Sequence, residues 1–187
     1  MRFDGLTPGT YATIVADPPW SFAVRSPKGL GRSAEQHYGC MGLDDIKRLP
    51  VADLAATDCC LLMWVTDPML AHGLDVIKAW GFVFKTVGFY WTKRNADGSP
   101  FTGMGYYTRA NPEQCLLATR GNPKRQSRSV RRWIDSARRE HSRKPDEFFE
   151  RAEALMPGPY VELFARQSRP NWDCWGHEAT RFDEAAE

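Results

Sequence analysis

Apolar residues in this chain gather in short runs between polar, glycine- and proline-bearing stretches, and spacing within each run separates strand from helix. Tyr11–Ala16 is a β-rich run that stops at Asp17-Pro18-Pro19-Trp20. Two prolines cannot continue a central strand, so Asp17 falls at its carboxyl end or just beyond. Cys59–Val65 is apolar without interruption, as in a strand buried on both faces. Asp67 and Pro68 then open a predicted helix in which Leu70, Leu74 and Ile77 recur at helical spacing until Gly81. Further strands are predicted at Phe82–Trp91, Glu113–Thr119 and Tyr160–Phe164. Ahead of the last, Pro145, Asp146 and Glu147 suit the first turn of a helix whose apolar face is Phe148, Phe149, Ala152, Leu155 and Met156. Segments 25–39 and 92–110 lack periodicity and read as mobile loops. Trp64, Leu74 and Trp80 are expected in the core. Alternation of this kind predicts one α/β domain over 1–187, a mostly parallel central sheet with helices on both faces.

Composition adds two constraints. Five cysteines form no C-x-x-C pair and no histidine cluster accompanies them, which argues against a metal site or a disulfide framework and for the reducing cytoplasm. No apolar run is long enough to span a membrane. The net charge, +2 from 25 basic and 23 acidic residues, argues against a polyanion partner until it is resolved along the chain. From Arg120 to Lys144 ten basic residues face two acidic ones, so this segment carries +8 and the remainder −6. Such a block marks either a polyanion partner or a solvated segment. Within it Arg128, Arg131 and Arg132 are the candidate phosphate contacts, and in the loop before it Lys93 and Arg109 are candidate substrate contacts.

Ligands of open α/β sheets sit outside the carboxyl ends of the strands, where Asp17 is placed. The Asp17 carboxylate and the Pro18 carbonyl can each accept a hydrogen bond from one exocyclic amine, with Pro18 and Pro19 holding the turn rigid. Trp20 can stack on the base, a contact worth ~1–3 kcal/mol. Two acceptors would aim the amine's lone pair at an electrophile, so positioning matters more than basicity. A plain turn with a core tryptophan would carry the same four residues.

The sequence resembles the MT-A (seventy-kilodalton type) family of adenine N(6)-methyltransferases. The resemblance is collinear through Ala16–Trp20, Tyr38-Gly39, Leu62–Thr66, Ala79–Phe82, Trp91 with Lys93, Gly103–Gly105, Glu113, Arg120–Pro123, Ser142–Glu147, Glu162–Arg166 and Asn171-Trp172. It implies a Rossmann-like methyltransferase fold with permuted motif order, using S-adenosylmethionine and no metal. Lys144 would hold the methionine carboxylate, Glu162, Phe164 and Arg166 would line the cofactor pocket, and Asp17 would meet the cofactor's amino group as well as the adenine. Tyr38 and the two loops would close over the target adenosine. This chain has His177-Glu178 where the family commonly carries Asn followed by Gln or Glu for ribose contacts, and its Arg166–Trp172 connection is shorter. The implied partner is nucleic acid, DNA favoured over RNA, with a homodimer or a related methyltransferase as further partner. A catalytically silent nucleic-acid-binding subunit is the alternative of another class.

Overall fold

The computed structural model of the chain describes residues 3–20, 41–140 and 143–183. Its centre is a seven-stranded sheet built from β1 (Tyr11–Ala16), β2 (Ala55–Val65), β3 (Val83–Arg94), β4 (Glu113–Arg120), β5 (Trp133–Ala137), β6 (Tyr160–Leu163) and β7 (Trp172–Trp175), in the order β5-β3-β4-β2-β1-β6-β7. Only β4 pairs antiparallel, to β2 and β3; the other four pairings are parallel. The expected mostly parallel sheet is therefore present. Because β1 lies between parallel β2 and β6, Ala16, Met63 and Leu163 fall level, and these three strands open at one edge. β4 runs the other way, so its first residue, Glu113, arrives at that same edge.

Helices α1 (Leu43–Arg48), α2 (Val51–Leu54) and α3 (Leu70–Ala79) pack on one face, and α4 (Asp146–Leu155) on the other. Alternation along the strands separates the two cores. Ile14, Leu61, Met63 and Val65 meet Ile46, Val76, Ile77 and Trp80, whereas Val15, Cys60, Leu62 and Trp64 meet Phe148, Phe149 and Ala152. Phe148 is fully buried, edge-on to Trp64 at 4.9 Å and to Phe89 at 5.3 Å, and burying such a ring stabilises by ~1.5–3 kcal/mol.

The structure differs from expectation at five points. Leu74 is 37% exposed, because the buried stripe of α3 is Gly73, Val76 and Ile77, which leaves Leu74 on the flank. Gly73 itself is pressed on β2, where an added Cβ would lie 3.0 Å from Val65. Residues 92–94 belong to β3, not to the loop, since they pair with Asp135–Ala137 of β5. β5 was not predicted: it lies inside the basic block with Ile134 as its only buried residue, the weak pattern of an edge strand. β7 was not predicted either, and the strand before it ends at Leu163, because Phe164 takes φ 63°, outside the β region.

Candidate active site

At the open edge, Asp17 follows β1 directly, and its amide reaches the Leu163 carbonyl at 3.4 Å. The Asp17 Oδ2 receives the Lys144 ammonium at 2.6 Å, joining residues 127 positions apart. Lys144 comes from the turn entering α4 and is only 7% exposed. Its ammonium also contacts Glu113 Oε2 at 3.3 Å and lies over the Trp64 ring at 5.2 Å. Lys93, near the end of β3, pairs with the other oxygen of Glu113. The result is a continuous chain of alternating charge, Lys93–Glu113–Lys144–Asp17. Burial alone would raise the Glu113 carboxyl, but the Lys144 and Lys93 ammoniums outweigh it and hold it at about 2.

A second chain flanks the cleft. Glu162 in β6 is 8% exposed and faces Arg169 Nε at 3.9 Å, an ionic contact too long for a hydrogen bond. The same Arg169 reaches Asp146 at 2.7 Å, stacks over the Phe149 ring at 3.7 Å, and keeps a buried Nε without a hydrogen-bond partner. Asp146 also pairs with Arg139, in the first turn of α4, where free N–H groups favour a carboxylate. Burial pushes the Glu162 carboxyl up to about 8; Arg169 and Lys144 oppose this, and the Asp17 charge adds to it. Asp17, Lys144, Glu162, Phe164, Arg166 and Arg169 all border one small cavity of about 20 Å³. That is room for about one water molecule, because the ion pairs close the cleft upon themselves.

The MT-A70 family model matches residues 11–178, which contain both charge chains. The chain belongs to the MT-A70 family. It is 32% identical to the Type II methyltransferase M.MunI of a Mycoplasma species, over 90% of this chain and 77% of that protein. It is also 32% identical to an N(6)-adenosine-methyltransferase MT-A70-like protein of Drosophila melanogaster and 30% identical to the human N(6)-adenosine-methyltransferase catalytic subunit METTL3. Those two matches cover 95% and 91% of this chain but only 28% of each relative. The family is one of adenine N6-methyltransferases with a Rossmann-like fold, and its methyltransferases use S-adenosylmethionine.

Within this MT-A70 chain the residues singled out from the sequence are brought together only in part. Asp17, Lys144, Glu162, Phe164 and Arg166 converge on one cleft. Glu178 contacts Arg166 of that group at 3.7 Å, while His177 is exposed beside it. Lys93 joins through Glu113, and Arg109 is exposed in the loop that leads from β3 to β4. Arg128, Arg131 and Arg132 are exposed but are not brought to Asp17. Gln126 in their segment is tied to Leu155 at the far end of α4, and Arg132 borders a separate groove of about 530 Å³ with Leu155 and Met156. β5, which they precede, is four strands from β1, ~19 Å at ordinary strand spacing. Tyr38 and segment 25–39 lie outside the described residues.

Trp20 is packed in the core of this structure. It is 5% exposed, and its indole N–H donates to the Trp64 carbonyl at 3.1 Å, the partner that a buried indole requires. The Pro18 carbonyl already accepts the Trp20 amide at 2.8 Å, and Pro19 accepts from Met41 at 3.1 Å, so the prolines shape a closed turn. Sequence reasoning gave Glu113 and Arg169 no role. A carboxylate leading directly into the buried run Cys115-Leu116 was the available signal for Glu113; nothing local marks Arg169.

Proposed function

We propose that this chain transfers a methyl group from S-adenosylmethionine to the 6-amino group of adenine in DNA. The observation that carries the reading is the Asp17–Lys144 pair at the mouth of β1, with a second acid, Glu162, beside it. The donor set fits the cofactor: a buried ammonium for its carboxylate, acids for its ammonium and ribose hydroxyls, and a buried Arg169 Nε awaiting an acceptor. When bound, the cofactor supplies an electrophilic methyl on a sulfonium. Lys144 would hold the carboxylate, exchanging part of its pairing with Asp17. Glu162, neutral near pH 7, can donate as well as accept a hydrogen bond.

With Lys144 on Oδ2, Asp17 would offer Oδ1 to the adenine amine, from a backbone held by its amide link to Leu163. Positioning and polarisation, not strong base catalysis, would be its contribution. The cleft must open to admit a ligand hundreds of Å³ in size, which requires the ion pairs to part. Support for DNA is the match over most of the length of a Type II methyltransferase; the matches to N(6)-adenosine-methyltransferases favour RNA as the second reading. An intact Asp17–Lys144 pair stands against a silent scaffold, which has no need of it. Among the described residues no helix is long and apolar enough to cross a membrane. The reading extends to the cytoplasm as site of action and to pairing with a second methyltransferase chain.

Incubating DNA and RNA with labelled S-adenosylmethionine, then identifying nucleosides by mass spectrometry, tests this directly. N6-methyladenine should appear in DNA with the wild type and vanish with Asp17→Ala. Product in RNA alone would select the second reading, and turnover by Asp17→Ala would remove Asp17 from the chemistry.

A further inference from the structure

The loop between β3 and β4 carries a turn that presents aromatic rings to solvent. Asn111 roots it, accepting from the Lys93 amide at 2.7 Å and donating to the Lys93 carbonyl at 3.0 Å. Above the root the Gly103 amide donates to the Ala110 carbonyl at 2.7 Å, and the Thr108 amide to the Tyr106 carbonyl at 2.6 Å. The two limbs are so close that a Cβ on Gly105 would lie 2.2 Å from the Thr108 carbonyl oxygen. At the apex Tyr107 has φ 60°, the left-handed region that suits glycine and strains tyrosine. Tyr107 is wholly exposed, with Tyr106 48% and Met104 41% exposed beside it. A large ring held in a strained conformation and buried against nothing contributes little to folding.

Its surroundings indicate what the ring is for. Arg109 is the only charged residue from Gly103 to Asn111, and the Arg138 guanidinium covers the Phe101 ring at 4.6 Å near the loop's base. The root is Lys93, the first member of the charge chain that ends on Asp17. Three chain steps, ~10 Å at full stretch, lead from Ala110 to Glu113. The base of the loop therefore lies at the active-site edge among cations, and its tip is six chain steps from Glu113, within ~20 Å at full stretch.

We propose that Tyr107, with Tyr106 beside it, is a wedge that enters the base stack of the nucleic acid next to the target adenine. It rests on the functional reading above, since an adenine turned out to Asp17 leaves its neighbours unstacked. An aromatic face replaces that stacking whatever the sequence, and a narrow turn bearing one planar ring fits between bases. Arg109 and Arg138 meet the flanking phosphates.

Tyr107→Gly removes the ring while relieving the strained φ, so the fold is retained, and an unchanged thermal midpoint verifies this. The full chain with S-adenosylmethionine is assayed on whichever of DNA or RNA the wild type methylates, in double- and single-stranded form, with 2-aminopurine at the target reporting extrusion by fluorescence. Loss of kcat/KM by ~tenfold or more on the duplex, loss of the fluorescence rise, unchanged single-strand turnover, and recovery of both duplex readouts in Tyr107→Trp support the wedge. Equal loss on both forms, no loss on either, or a wild type active only on single strands overturns it. A wild type that methylates neither polymer overturns the functional reading itself.

Discussion

Glu162→Gln tests the electrostatics of the cleft without touching its shape. Burial beside Arg169 pushes the Glu162 carboxyl from an ordinary 4.5 to about 8. Between those values the folded chain keeps a proton that the unfolded chain has released, so stability falls as pH rises through that window and is level on either side. The span, at 1.36 kcal/mol per pH unit, amounts to ~3–5 kcal/mol once relaxation of Arg169 toward the charged form is allowed for. Glutamine has the same size and cannot ionise. The variant should match the wild type near pH 4.5 and exceed it by that margin at pH 8. Urea unfolding followed by circular dichroism, at several pH values across the window, gives the difference directly. Glu113, held at about 2, and Asp146, lowered by Arg169 and Arg139 against its burial, titrate below the window and cancel in the subtraction. A difference independent of pH, or a variant that loses ground as pH rises, would refute the reasoning.

Two other outcomes are expected. Lys144→Met should weaken S-adenosylmethionine binding, measured by calorimetry, by ~tenfold or more, because a buried charge pair loses its cation; nucleic-acid affinity should change less, and the reverse order refutes the assignment. Neutralising Arg128, Arg131 and Arg132 together should flatten the salt dependence of affinity for long DNA. It should not do so for oligonucleotides extending fewer than ~5 nucleotides from the target, since these cations stand at the sheet's outer edge. An unchanged slope on long DNA places the block elsewhere.

Much of the scaffold was legible because local rules suffice where burial is uniform. Cys59–Val65 could only be an interior strand, Pro18 and Pro19 could only end one, and Phe148, Phe149 and Ala152 could only face a core. Edge elements escaped, since β5 and β7 are buried on little of their surface and carry almost no pattern. The family resemblance pointed to Asp17, Lys144 and Glu162, which the structure gathers at one cleft, but local pattern alone did not expose the ties among them.

The net charge of +2 and even the +8 block are properties of sequence, and they said that cations were present, not where they would stand. Folding divided the block. Arg139 and Lys144 turn inward to Asp146 and Asp17, while Arg128, Arg131 and Arg132 stay at the outer edge. The order of apolar and polar residues fixes which segments become strands and helices, because each buries its own face. Which charges meet depends on strands brought level across more than a hundred residues, as Asp17 and Lys144 are. Pairing energy of that kind exists only once the sheet has excluded the water around it.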